Sequence, residues 1–346
     1  MDPVTIYYII DDLLRQPDRE KQLKELALNQ LLGLSGQLSF NFWNMGNLSP
    51  EFNVVPWNQT PEAVTRHIPC KRKRMLKVSI KLDCGRVYFP EFDADGDKER
   101  LYATNNSLAA SFLNDNMYNL FAASNIALPG AIGGLYGFHY YQKGKSYESN
   151  CYNESSIWLT AQWLNTLEWP LFRSLTIAET WLWLMKLKGY CAGLSTNSVE
   201  RAVCAFSHLS TDYPQDLFWA VMGLEALYDT KAVGVMHQVR ERAQILLGTF
   251  PNHVNKLFNE MYTYRSKLIH GDLDLSPVCA DLFCGDESLK EYKKSLYTAI
   301  GVLTASLQEL VIRKWSTLEF KTEAISGKVD RILTGIADIS SESMSC

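Results

Sequence analysis

From Ser155 to Ser316 apolar residues recur at intervals of three and four, broken only by short polar turns such as DYP at 212–214 and TFPN at 249–252. That period belongs to helices with one buried face. It predicts helices over 155–168, 175–191, 197–209, 215–229, 235–248, 253–269 and 286–316. Consecutive helices on short loops pack most simply as an antiparallel bundle. The first 35 residues read as helical too, with Leu23, Leu26, Leu28, Leu31 and Leu32 among charges and Gly33 and Gly36 at the end. Between Leu38 and Phe92 the pattern changes: short apolar stretches, LSFNFW, FNVVPW, MLKVSIKL and RVYFPEF, alternate with Pro, Asn and Gly, which predicts strands joined by turns. Ala127 to Ser146 reads as a glycine-rich loop, and the last thirty residues as a weakly periodic, Ser-rich tail. The expected class is α+β, with a mixed domain over 1–150, a helical connector over 151–195, a helical bundle over 196–318 and a tail over 319–346.

Composition narrows the function classes. Apolar residues make up 47% and charged residues 21% of the 346, so both parts can bury a core. The net charge of −4 gives no global attraction for nucleic acid or membrane, and an anion site must be a local patch. The eight cysteines are scattered without paired ligand spacing, which fits a reduced compartment and argues against zinc. The N-terminus has no basic leader, and the apolar stretch Leu175–Cys191 contains Glu179, Lys186 and Lys188, too polar for a membrane span. A cytoplasmic protein is expected.

Candidate chemistry lies in YRSKLIHG, residues 264–271. With Val254 at zero on a helical wheel, Leu257, Phe258, Met261 and Leu268 fall within about 60°, and Arg265 at about 20°, inside the apolar stripe. A guanidinium there keeps its charge and needs a carboxylate, a phosphate or a watered interface. His270 stands five residues on, before Gly271, where a helix would end. Read alone, the pair is first of all a structural arginine paired with an acid and a helix-terminal histidine favoured by the helix dipole.

The surroundings add to this. DLFWAVMGLEALYDT is an amphipathic helix with Leu217, Val221, Leu224 and Tyr228 on one face and Glu225 at its edge; VRERAQILLG and LFNEMYTYRSKLIHG follow. A helix with LEAL, a helix with RAxxLL and a helix closing on YxxRSxxxHG, in that order from Thr196 to Lys314, resemble the Apea-like branch of the HEPN superfamily (higher eukaryotes and prokaryotes nucleotide-binding domains). The resemblance implies a helical bundle that pairs as a homodimer. It also implies a metal-independent endoribonuclease, with Arg265 and His270 as the catalytic pair and no cofactor, and it points to a toxin-like effector of bacterial antiphage defence with RNA (tRNA or mRNA) as substrate and a possible defence-system partner.

The residue types suit that chemistry. RNA carries its own nucleophile, the 2′-hydroxyl, an imidazole can move its proton, and an arginine can bind the phosphate. Ser266 is expected to hydrogen-bond the phosphate and Glu225 to orient Arg265, although Glu225 also reads as a solvated helix-edge acid. Lys71, Arg72, Lys73 and Arg74 precede a strand and are candidates for RNA contact or for a solvated sheet edge. The GKS at 144–146 lacks the glycine spacing of a phosphate-binding loop, Asp272 and Asp274 read as a turn signal rather than a metal pair, and Trp158, Trp163, Trp181 and Trp183 read as core.

Overall fold

The computed structural model describes residues 3–10, 18–41, 47–68, 74–82, 98–133, 137–141, 145–149, 152–210, 215–230, 234–273, 287–325 and 328–336. These divide into two compact units: residues 1–124 with 131–153, and residues 125–130 with 154–346. The class is α+β.

The first unit is built on a five-stranded antiparallel sheet. Its elements are β1 (Val4–Ile9), α1 (Asp18–Gly33), the two-residue strands β2 (Phe40–Asn41) and β3 (Asn47–Leu48), β4 (Glu51–Pro56), α2 (Glu62–Thr65), β5 (Arg74–Ile80), α3 (Lys98–Ala127), β6 (Gly137–Tyr141) and β7 (Lys145–Ser149). The strand order is β4-β5-β1-β6-β7, with Ile6 of β1 opposite Val78 on one side and His139 on the other. All six residues of β1 are buried, so this central strand reads as an apolar run interrupted only by Thr5 rather than an alternation.

Three expectations are corrected here. The N-terminal helix does not begin at the start of the chain: VTIYYI is a strand, because β-branched and aromatic side chains fit a pleated, buried position, and among the described residues α1 spans Asp18–Gly33. The stretch read as a loop over 127–146 contains β6 and the start of β7, held in register by Tyr140 opposite Ser146. A thirty-residue helix, α3, that the pattern did not predict runs over Lys98–Ala127. It buries Ala109, Leu113, Met117, Leu120 and Phe121, while buried Asn106 and Ser124 interrupt the apolar stripe.

The second unit is helical: α4 (Ser155–Leu167), α5 (Ile177–Leu184), α6 (Lys188–Cys191), α7 (Ser198–Ser207), α8 (Gln215–Leu227), α9 (Val235–Leu247), α10 (Asn252–His270) and α11 (Glu287–Arg313), followed by a hairpin of β8 (Thr317–Ile325) and β9 (Lys328–Ile336). The hairpin lies where a weakly periodic tail was expected, with Leu318 buried and the hydroxyl of Ser198 donating to its carbonyl, and residues 337–346 of that tail lie outside the described residues. The single helix expected over 175–191 is two: Leu187 leaves the helical region at φ −78°, ψ 84°, and α6 starts afresh. Glu200 pins that break, its carboxylate accepting from the backbone N–H of Gly189 at 2.8 Å and from the N–H and hydroxyl of Thr196 at 2.6 and 2.7 Å.

Helix α11 runs through the middle of this unit, with Ile300, Val302, Leu303, Thr304, Ala305, Ser306 and Gln308, which lie all round the helix, at 2% exposure or less, so most of its circumference is covered. Two of its polar members turn inward to partners: the hydroxyl of Ser306 bonds the Tyr228 phenol at 2.6 Å, and the Gln308 amide donates to the carbonyls of Ile126 and Arg173. By length and apolar composition Lys290–Arg313 passes as a membrane span, yet 83% of its most apolar stretch is buried within the fold, as in a core helix. Residues 125–130 belong to this unit. Gly130, at φ +74°, lies so near Trp158 that a Cβ would meet its Cα at 2.5 Å, and Leu175 donates to the Ala127 carbonyl at 3.2 Å.

Candidate functional site

Arg265 and His270 both stand on α10. That helix begins after Pro251 and is anchored by Val254, Leu257, Phe258 and Met261, the apolar stripe of the wheel, all at 9% exposure or less. It ends on a Schellman motif: Gly271, in the left-handed region at φ +75°, donates to Leu268 O at 3.4 Å, and Asp272 donates to Lys267 O at 2.8 Å. Tyr264 packs edge-on against Tyr292 of α11, ring centroids 5.7 Å apart, and Lys267 lies over the Tyr264 ring at 5.5 Å.

The structure brings Arg265 and Glu225 together. Glu225, on α8, places Oε2 3.5 Å from Nη2 of Arg265, with the two side chains 23% and 32% exposed. Helix α8 aims Glu225 because Leu217, Val221, Leu224, Leu227 and the following Tyr228 are fully buried, leaving position 225 at the edge that faces α10. From α9, Arg242 of the RAxxLL stretch closes the end of α8, donating to the carbonyls of Tyr228 and Asp229 and lying 4.9 Å over Phe320. Burial raises the Glu225 carboxyl above its ordinary value, and the Arg265 charge opposes that rise.

The contact leaves two buried donors unused. Arg265 Nε has no hydrogen-bond partner, and neither has the hydroxyl of Tyr262, three residues before it on α10. Burial pushes the Tyr262 phenol well up, the Glu225 charge pushes it further, and the Arg265 charge pulls it back. Tyr262, Glu225 and Arg265 therefore form one electrostatic cluster. Tyr262 is the tyrosine of the YxxRSxxxHG pattern, and its spacing of three from Arg265 was the signal that both would share a helix side.

His270 and Ser266 are placed differently. Both are exposed, and α10 stays helical through His270. Five residues of regular helix separate Arg265 from His270 by about 140° around the axis and about 7.5 Å along it. One chain thus sets the guanidinium against α8 and the imidazole toward solvent. The basic stretch divides: Lys71, Arg72 and Lys73 lie outside the described residues, while Arg74 begins β5 and pairs with Glu25 of α1 through both guanidinium nitrogens.

The other candidates resolve into structure. His139 is buried on β6 with Nε2 3.0 Å from Asn106 Oδ1, and His208 stacks on Trp219 with centroids 4.1 Å apart. Trp181 and Trp183 are core, at 2% and 4% exposure, whereas Trp158 and Trp163 are half-buried. Asp272 is exposed, and Asp274 and Gly144 lie outside the described residues. Among the described residues no group of three or more His, Cys, Asp or Glu is arranged to hold a metal ion. Compared with protein-family models, with curated proteins and with solved structures, the chain matches none of them.

Proposed function

We propose that this chain is a metal-independent endoribonuclease of the HEPN type, acting as a homodimer and as a toxin-like effector in antiviral defence. One observation carries the reading: Arg265 stands in an apolar stripe in a long contact to Glu225, with its Nε–H lacking an acceptor. A guanidinium so loosely satisfied suits an incoming phosphate, whose oxygens accept two N–H bonds at once. Because one chain sets His270 about 140° from Arg265, the reading needs a second copy to bring an imidazole opposite the arginine.

In this reaction the 2′-oxygen forms a bond to phosphorus, the bond to the 5′-oxygen breaks, and the proton passes from the first oxygen to the second through the His270 imidazole. Arg265 offsets charge on the phosphate oxygens. A 2′,3′-cyclic phosphate and a 5′-hydroxyl result, and DNA is spared. Ser266, exposed one residue after Arg265, is available as a further donor.

A second reading draws on the same contact. As a non-catalytic module that binds nucleotide or a partner, rather than an enzyme or a subunit active only in a larger effector complex, the protein would keep Arg265 for its ion pair with Glu225, with His270 serving only to end the helix. Incubating purified protein with total tRNA and mRNA in EDTA, beside Arg265→Ala and His270→Ala, separates the two. Cleavage by the unmodified protein alone supports the nuclease, with a loss of at least roughly 100-fold in each variant. Equal inertness of all three supports the binding module.

A further inference from the structure

Handing Arg265 to a phosphate leaves Glu225 in difficulty. Its carboxylate sits half-buried between α8 and α10, and removing the cation would strand that charge. A candidate replacement donor stands on the same helix as Arg265. Tyr262 lies about 60° from Arg265 on the same side of α10 and about 4.5 Å back along the axis. Its hydroxyl is buried and makes no hydrogen bond while Arg265 occupies Glu225. An unused buried hydroxyl costs free energy in the resting protein and is accounted for if another state uses it.

We propose that Tyr262 is a positioning residue that takes over as donor to the Glu225 carboxylate when Arg265 turns to an RNA phosphate, so that the handover leaves no buried charge unpaired. The inference rests on the reading of Arg265 as the phosphate ligand. Tyr262 acts through Glu225 and need not touch RNA. Its hydroxyl therefore matters in the bound state and not in the free one, the reverse of a structural tyrosine.

Binding of a short 2′-O-methyl oligoribonucleotide, which cannot be cleaved, tests this on the full-length chain, with thermal unfolding of the free protein measured alongside. Tyr262→Phe should weaken binding roughly tenfold, the loss expected for one hydrogen bond to a charged acceptor, while leaving the free protein's melting temperature unchanged or higher. In a Glu225→Gln background the same change should have no effect on binding, since a neutral amide needs no replacement donor. Unaltered binding by Tyr262→Phe overturns the handover and leaves Arg265 as a phosphate ligand. A fall in melting temperature that tracks the loss of affinity overturns it too, making Tyr262 structural. Binding indifferent to Arg265→Ala overturns both the handover and the phosphate-binding reading beneath it.

Discussion

Glu225 Oε2 and Arg265 Nη2 stand 3.5 Å apart across α8 and α10, a contact long for a hydrogen bond and made by only one nitrogen of the guanidinium. Two partly buried charges in loose contact gain less from each other than a bidentate pair does, so each remains open to a better partner.

On the proposed nuclease reading, replacing Arg265 by lysine should abolish most of the RNA cleavage even though the charge is kept. An ammonium has no planar fork and no counterpart of the Nε–H, so Arg265→Lys is expected to lower the rate of RNA cleavage by about tenfold or more. Initial rates on total tRNA check this, and a lysine variant as fast as the unmodified protein would remove the bidentate role.

Glu225 gives a pH dependence with a definite sign. Burial holds its carboxyl above the ordinary value, so ionising it costs more in the fold than in the unfolded chain. The stability concerned is present below the ordinary carboxylate range and is lost as pH rises through that range to the raised value. Unfolding by urea from about pH 4 to about pH 7 should therefore show the unmodified protein losing ground to Glu225→Gln as pH increases. The opposite slope would mean that the Arg265 contact dominates desolvation.

His139 has the opposite sign. Burial takes its imidazole from 6.5 down to about 4, and because Asn106 Oδ1 accepts, Nε2 carries the proton of the neutral ring. Stability is present above the unfolded value and is lost as pH falls from 6.5 towards about 4. The pH-dependent part is on the order of 3 kcal/mol, and it should be absent from His139→Leu when both are unfolded by urea across that window.

Gly271→Ala should destabilise the protein by about 1 kcal/mol, since φ +75° admits a side chain poorly and the Schellman motif that ends α10 depends on it. Hydrogen exchange of the last turn, reporting on Ile269 and His270, should accelerate in the variant while the rest of α10 stays protected.

Gly189→Ala should cost roughly 1–3 kcal/mol by overpacking. A Cβ there would run into the Glu200 carboxylate and come within 2.7 Å of Leu194 O, opening the clasp between α6 and α7. Thermal unfolding measures it, and a neutral result would show that Glu200 can swing aside.

The helices of the second unit were legible because their apolar residues keep one period over long stretches: Val254, Leu257, Phe258 and Met261 lie where the wheel put them. Strand β1 was not, since VTIYYI is apolar at every position but Thr5 and such a run fits a buried strand or a buried helix equally until its neighbours β5 and β6 are known. Helix α3 escaped because asparagines such as Asn106 and Asn114 fill inward positions, bonding His139 and Tyr8 and so breaking the apolar count. At the candidate site the order of motifs located Arg265 and its neighbour Glu225. The role of Tyr262 was invisible, because an unused hydroxyl is a property of three-dimensional surroundings and leaves no mark on spacing.

Residues 125–130 fold with the helical unit although the chain returns to the sheet unit before finally leaving it at 153. A clone beginning at Glu154 would therefore lack six residues of its own interior. Gln308 would lose the Ile126 carbonyl, and Trp158 would lose the glycine that covers it. Dissecting this protein by truncation would damage the bundle at a point remote in sequence from the cut, and a circularly permuted or co-expressed fragment carrying 125–130 would be needed to keep it whole.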